Sequence, residues 1–131
     1  MDEVKFYMEE SIISIDGQAS VVDAGAMMRE SKVGLLFVGK DDHYIGVITE
    51  GDLAKKVVAG NMDLLETSVA DVMSSPIVSI DGNTRMVDAF FQMRKNNFRH
   101  IAVSEKKKVV GILSIKDFAT YYINKTKEDE K

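Results

Sequence analysis

Ser14-Ile15-Asp16-Gly17 returns 65 residues later as Ser79-Ile80-Asp81-Gly82, and the match extends well beyond these four positions. Met8 answers Met73, Val22-Asp23-Ala24 answers Val87-Asp88-Ala89, and Met28-Arg29 answers Met93-Arg94. Gly46 and Asp52 then answer Gly111 and Asp117. Residues 8–54 lie on 73–119 at one constant offset without a gap, with 15 of 47 positions identical. Ordinary residue usage would give roughly three, so the chain is one short unit written twice. Two copies are too few for a solenoid, but they suit a pseudo-twofold pair that buries one shared face. Clefts at such an interface come in related pairs.

Within each copy the pattern reads β-α-β-β-α. The β-branched runs Ile12-Ile13-Ser14-Ile15 and Ile77-Val78-Ser79-Ile80 each enter an Asp-Gly turn, as strands do. From Ser20 to Ser31 the apolar residues Val22, Ala24, Met27 and Met28 form a helical stripe, matched by Val87, Ala89, Phe90, Phe91 and Met93. Strands are expected over 34–38 and 100–103, polar turns over 39–43 and 104–108, and return strands over 44–48 and 109–113. Asp52 and Asp117 then open last helices over 52–58 and 117–123, their carboxylates accepting free N–H groups of the first turn. Gly60-Asn61-Met62-Asp63 breaks the chain, residues 64–73 form a short connecting helix, and Pro76 falls where a strand begins and a missing donor costs least. The expected division is 1–64 for the first repeat with its N-terminal segment, 65–124 for the second, and 125–131 for a charged, frayed tail.

Composition narrows the function. The 131 residues carry a net charge of -4, which argues against a dominant nucleic-acid surface. The absence of cysteine excludes disulfides, thiolate zinc sites and a cysteine nucleophile. Neither an apolar signal region nor 18 consecutive apolar residues occurs, so a soluble cytoplasmic protein is expected, without membrane contact.

The chemistry concentrates in one motif present in both copies: Gly46-Val-Ile-Thr49-Glu-Gly-Asp52 and Gly111-Ile-Leu-Ser114-Ile-Lys-Asp117. A hydroxyl three residues before a carboxylate is capping-box spacing and needs no ligand. The same pair converging on a helix N-terminus also suits a ribose, whose 2'- and 3'-hydroxyls donate to the carboxylate while the free N–H groups favour anions. Duplication copies caps as readily as sites, so the spacing alone leaves both readings open. No acid, base and nucleophile set stands out beyond these. Asp41-Asp42 and the acidic tail could draw a divalent cation weakly, but charge runs are usually solvated faces, and His43 falls in a polar turn.

The chain resembles the tandem cystathionine β-synthase (CBS) domain pair, or Bateman module, from Val4 to Ile123. The resemblance is carried by the entries Val4-Lys-Phe-Tyr-Met8 and Val69-Ala-Asp-Val-Met73, by Arg99-His-Ile-Ala-Val103, and by both glycine-hydroxyl-aspartate motifs in order and spacing. It implies an α/β fold of two pseudo-twofold-related β-α-β-β-α repeats packed through their sheets, with two clefts that take AMP, ADP, ATP or S-adenosylmethionine. Carried over, one cleft uses Thr49 and Asp52 for ribose, Ile77 and Val78 against adenine, and Arg99 with His100 for phosphate. The other uses Ser114 and Asp117 with Ile12 and Ile13 at the base. Its phosphate side has Gly34 and Leu35 in place of the basic pair, leaving Lys116. The first cleft is therefore the expected nucleotide site. The resemblance implies a stand-alone regulatory module in signal transduction, not an enzyme, requiring no cofactor, homodimeric through its helices and acting on an unidentified protein. A dimerisation module without a nucleotide is the alternative.

Overall fold

The computed structural model describes residues 1–41 and 43–130. Its secondary structure is the expected β-α-β-β-α written twice. The elements are β1 (Ser14–Ile15), α1 (Val21–Ser31), β2 (Leu35–Lys40), β3 (His43–Thr49) and α2 (Glu50–Asp52), the last continuing as a π-helical segment, Leu53–Val58. Then come α3 (Val69–Val72), β4 (Ser79–Asp81), α4 (Met86–Asn96), β5 (His100–Glu105), β6 (Lys108–Ser114) and α5 (Ile115–Asp129). Each repeat makes a three-stranded sheet, β1-β2-β3 and β4-β5-β6, with the first pair parallel and the second antiparallel.

Several boundaries differ from the sequence expectation. Ile12, Ile13, Ile77 and Val78 precede the first strands instead of opening them, and Pro76 lies in the segment leading to β4. His43 begins β3 and is exposed. The connector is helical only over Val69–Val72, where Ser68 and Asp71 form a capping box. α5 runs on to Asp129 through the stretch expected to fray, since Lys125 is tied back to Asp2 (2.9 Å) and no helix breaker intervenes. Asp42, half of the suggested cation pair, lies outside the described residues.

The two cores correspond position by position. In one unit, α1 lays Val21, Ala24 and Met28 on Ile15, Leu36, Val38 and Ile48. In the other, α4 lays Met86, Ala89 and Met93 on Ile80, Ile101, Val103 and Leu113. Both stripes follow helical spacing on one side and strand alternation on the other.

The compact units are not the sequence repeats. One unit is Ile12–Ile77; the other joins Met1–Ser11 to the chain from Val78 onward. The segment that introduces each repeat therefore packs into the other. Val69 N–H bonds Ala19 O (2.8 Å) and Ala70 N–H bonds Gly17 O (2.9 Å), while Val4 N–H bonds Thr84 O (2.8 Å) and Lys5 N–H bonds Gly82 O (3.0 Å). Ser74 exchanges two backbone bonds with Val47, and Glu9 exchanges two with Ile112. Every partner in the first set is 65 residues from its counterpart in the second. Val4 and Val69, both fully buried, anchor the exchanged segments.

Candidate functional site

Both hydroxyl-aspartate turns close as capping boxes. Strand β3 ends at Thr49, whose Oγ1 accepts from Asp52 N–H (3.2 Å) while Asp52 Oδ2 accepts from Thr49 N–H (3.0 Å) and Thr49 Oγ1–H (3.2 Å). Strand β6 ends at Ser114, and Asp117 Oδ2 accepts from Ser114 N–H (2.8 Å) and Ser114 Oγ–H (3.2 Å). The aspartates thus stand at the third position of helices that begin at Glu50 and Ile115, two residues earlier than expected.

Beyond the cap the two carboxylates differ. Asp52 is buried, and its Oδ1 accepts from Ser74 Oγ–H (3.2 Å) and pairs with Lys56 Nζ (2.9 Å). Lys56 Nζ also donates to Val72 O (2.8 Å). One carboxylate therefore meets four donor groups, close to its capacity. Asp117 is only partly buried, and among the described residues its Oδ1 has no hydrogen-bond or ion-pair partner. The reason is written in the equivalent positions. Where the first repeat has Lys56 the second has Tyr121, whose hydroxyl donates to Asp2 (3.0 Å), and where Ser74 stands in one unit Glu9, itself an acceptor, stands in the other.

The expected site residues divide between the units. Thr49, Asp52, Ile12, Ile13 and Ile77 belong to Ile12–Ile77. Val78, Arg99, His100, Ser114, Lys116 and Asp117 belong to the other. Ile13 packs partly into its core and Phe37 N–H bonds its carbonyl (2.9 Å), whereas Val78 is exposed. His100 pairs in register with Ser114, Arg99 O accepts from Ile115 N–H (3.1 Å), and Lys116 follows at the second helical position. Three residues able to carry positive charge thus lie, by backbone position, beside the N-terminus of the fifteen-residue α5, where anions are favoured. The first repeat offers Gly34, Leu35 and Gly51 at the matching places.

Sequence reasoning does not single out Lys56 or Ser74. The four-residue spacing of Asp52 and Lys56 is a helical ion-pair signal, but nothing local ties Ser74 to residue 52. Among the described residues no three His, Asp or Glu side chains gather to hold a metal ion, and no helix is long and apolar enough to cross a membrane.

Known proteins share this architecture. The family model for the CBS domain matches twice, over residues 3–59 and 69–124. The CBS domain-containing protein YhcV of Bacillus subtilis is 27% identical over 119 residues, covering 91% of this chain and 84% of its own. An uncharacterized conserved protein from Pyrococcus horikoshii has a TM-score of 0.85 at 26% identity, over 92% of this chain and 91% of that one. A hexameric CBS-CP12 protein from bloom-forming cyanobacteria has a TM-score of 0.81 at 26% identity, over 89% of this chain and 66% of that one. Other relatives are longer: the chain spans 56% and 19% of two from Arabidopsis thaliana.

Proposed function

Because the chain belongs to the CBS-domain family and carries two of its repeats, we propose that it is a regulatory module that binds an adenosine nucleotide and passes occupancy to a protein partner. AMP, ADP and ATP are the first candidates, with S-adenosylmethionine as a further one. Binding, not catalysis, is the activity.

The observation that supports this most is the state of Asp117. Its Oδ2 fixes the turn through Ser114, while Oδ1 has no partner among the described residues and faces no competing cation in the bonding pattern. A carboxylate held in this way can accept the two hydroxyls of a ribose without breaking any protein bond. Arg99, His100 and Lys116, all within the same unit, supply the charge a phosphate requires. Melting the protein with AMP, ADP, ATP, S-adenosylmethionine and NAD tests the reading. A ligand that binds only the folded chain raises its melting temperature, by about 2.7 kcal/mol of stabilisation at a hundredfold excess over Kd. No shift with any of the adenosine compounds rejects it.

A second reading, self-association without a nucleotide, draws on another observation. α4 and α5 meet through Phe90 and Phe118, yet Phe91 (60%), Tyr122 (49%) and Ile123 (55%) stay exposed. That apolar surface suits a homodimer formed through helices, and it accompanies nucleotide binding as readily as it replaces it.

A further inference from the structure

We propose that Lys56 is a built-in occupant of the first repeat's motif, closing Thr49–Asp52 so that the chain takes up nucleotide at Ser114–Asp117 alone. The inference rests on the reading of Ser114–Asp117 as a nucleotide site. It reverses the order expected from Arg99 and His100.

The device is local. From Leu53 to Val58 the helix after Asp52 is π-helical, with Ala59 N–H bonding Ala54 O and Met62 N–H bonding Val57 O, each five residues back. A π turn admits an extra residue and rotates the helix beyond it. Its effect is visible in the cores: Tyr121 is buried in the second repeat, but at the matching place in the first it is Val57 that is buried, one residue later than the constant offset predicts. Lys56 is thereby left outside the core. Its ammonium lies 2.9 Å from Asp52 Oδ1 and 2.8 Å from Val72 O. It joins the helix to the exchanged segment, and Ser74 of that same segment completes the carboxylate. A ribose hydroxyl arriving at Asp52 must displace an ion pair or a hydrogen bond already made, so one donor is exchanged for another with little net gain. At Asp117 Oδ1 it displaces no partner among the described residues.

The second repeat cannot build the same closure. Tyr121 is spent on Asp2 and on the T-shaped contact with Tyr7 at 5.1 Å. Glu9, in the place of Ser74, offers no proton.

Calorimetric titration with ADP tests the proposal on three chains. The unmodified chain binds one equivalent. Asp117→Asn binds ADP at least about tenfold more weakly, and Asp117→Asn combined with Lys56→Met regains affinity, because Thr49–Asp52 is then open. An Asp117→Asn chain that binds ADP as tightly as the unmodified chain overturns the proposal, and so does a double variant that folds and binds no more tightly than Asp117→Asn. If the unmodified chain binds no adenosine nucleotide, the reading of Ser114–Asp117 fails, and the closure is judged without ligand. Lys56→Met then lowers the melting temperature by several degrees while its exposed neighbour in Lys55→Met changes it by less than about one degree. Equal melting temperatures for the two variants reject the closure itself.

Discussion

The Sδ of Met8 stands 2.7 Å from where a Cβ on Gly111 would be, and Met73 stands in the same relation to Gly46 at 2.9 Å. Backbone closes the space as well: Glu9 O is 2.8 Å from the first of these virtual atoms and Ser74 O 2.7 Å from the second. Both glycines are therefore required by the close approach of the exchanged segment, whose two backbone bonds to Val47 or Ile112 lie one residue further on. Gly46→Ala and Gly111→Ala should each cost about 1–3 kcal/mol, because a carbonyl must move to admit the methyl group. Gly25→Ala is the contrast. Its Cβ would meet only Leu53 Cδ1 at 4.0 Å, and in mid-helix it should gain about 0.5–1 kcal/mol. Urea unfolding of the three variants measures the difference in sign.

The N-terminal segment should make stability depend on pH at both ends of the scale. Asp2 Oδ1 accepts from Tyr121 (3.0 Å) and Lys125 (2.9 Å). The Lys125 bond, followed by that of Tyr121, holds the Asp2 carboxyl below its ordinary 3.8. A depressed carboxyl contributes stability above its unfolded value and loses it as pH falls through the folded one. Burial, and then the bond to Asp2, raises the Tyr121 phenol above 10.0, and the bond to Asp2 raises Lys125 above 10.5. Raised groups stabilise fully below their unfolded values and lose that contribution as pH climbs past them. The clasp is thus complete between about pH 4 and pH 10. Asp2→Asn should shift one tyrosine titration, followed by phenolate absorbance, to lower pH, and Tyr121→Phe should remove that transition.

Phe91 and Phe90 sit on one helix but have different surroundings. Phe90 packs edge-on against Phe118 at 5.4 Å, while Phe91 is 60% exposed and touches Phe90 from outside. If the helices associate, Phe91→Asp should convert a dimer at micromolar concentration into monomer, as read by light scattering, with the melting transition of the chain preserved. An unmodified chain that is monomeric at every concentration excludes the interface.

The repeat was legible because its signals are local: Asp-Gly turns, a helical stripe, two β-branched runs and a cap at fixed spacing. The exchange of entry segments was not. Val4 and Val69 read alike, and no local preference says that Val4 belongs to the core of Ile80 and Met86 and Val69 to that of Ile15 and Val21. The motif residues were found for the same reason as the fold, since the capping-box spacing lies within one turn. What separates Asp52 from Asp117 comes from Ser74, 22 positions away in sequence, and from a π turn whose only trace is the one-residue slip between Val57 and Tyr121. Lys55 and Lys56 look interchangeable in sequence, and only the turn's geometry selects Lys56.

If Asp117 holds the ribose of an adenosine nucleotide, AMP affinity measured by equilibrium dialysis differs between the unmodified chain and Asp117→Asn. The amide keeps one acceptor oxygen for the cap but removes the charge, and hydrogen bonds to a charged group are worth about 1.5–3 kcal/mol. The affinity of Asp117→Asn should be lower by about tenfold or more, with the fold retained by circular dichroism. AMP bound equally well by both chains would contradict it.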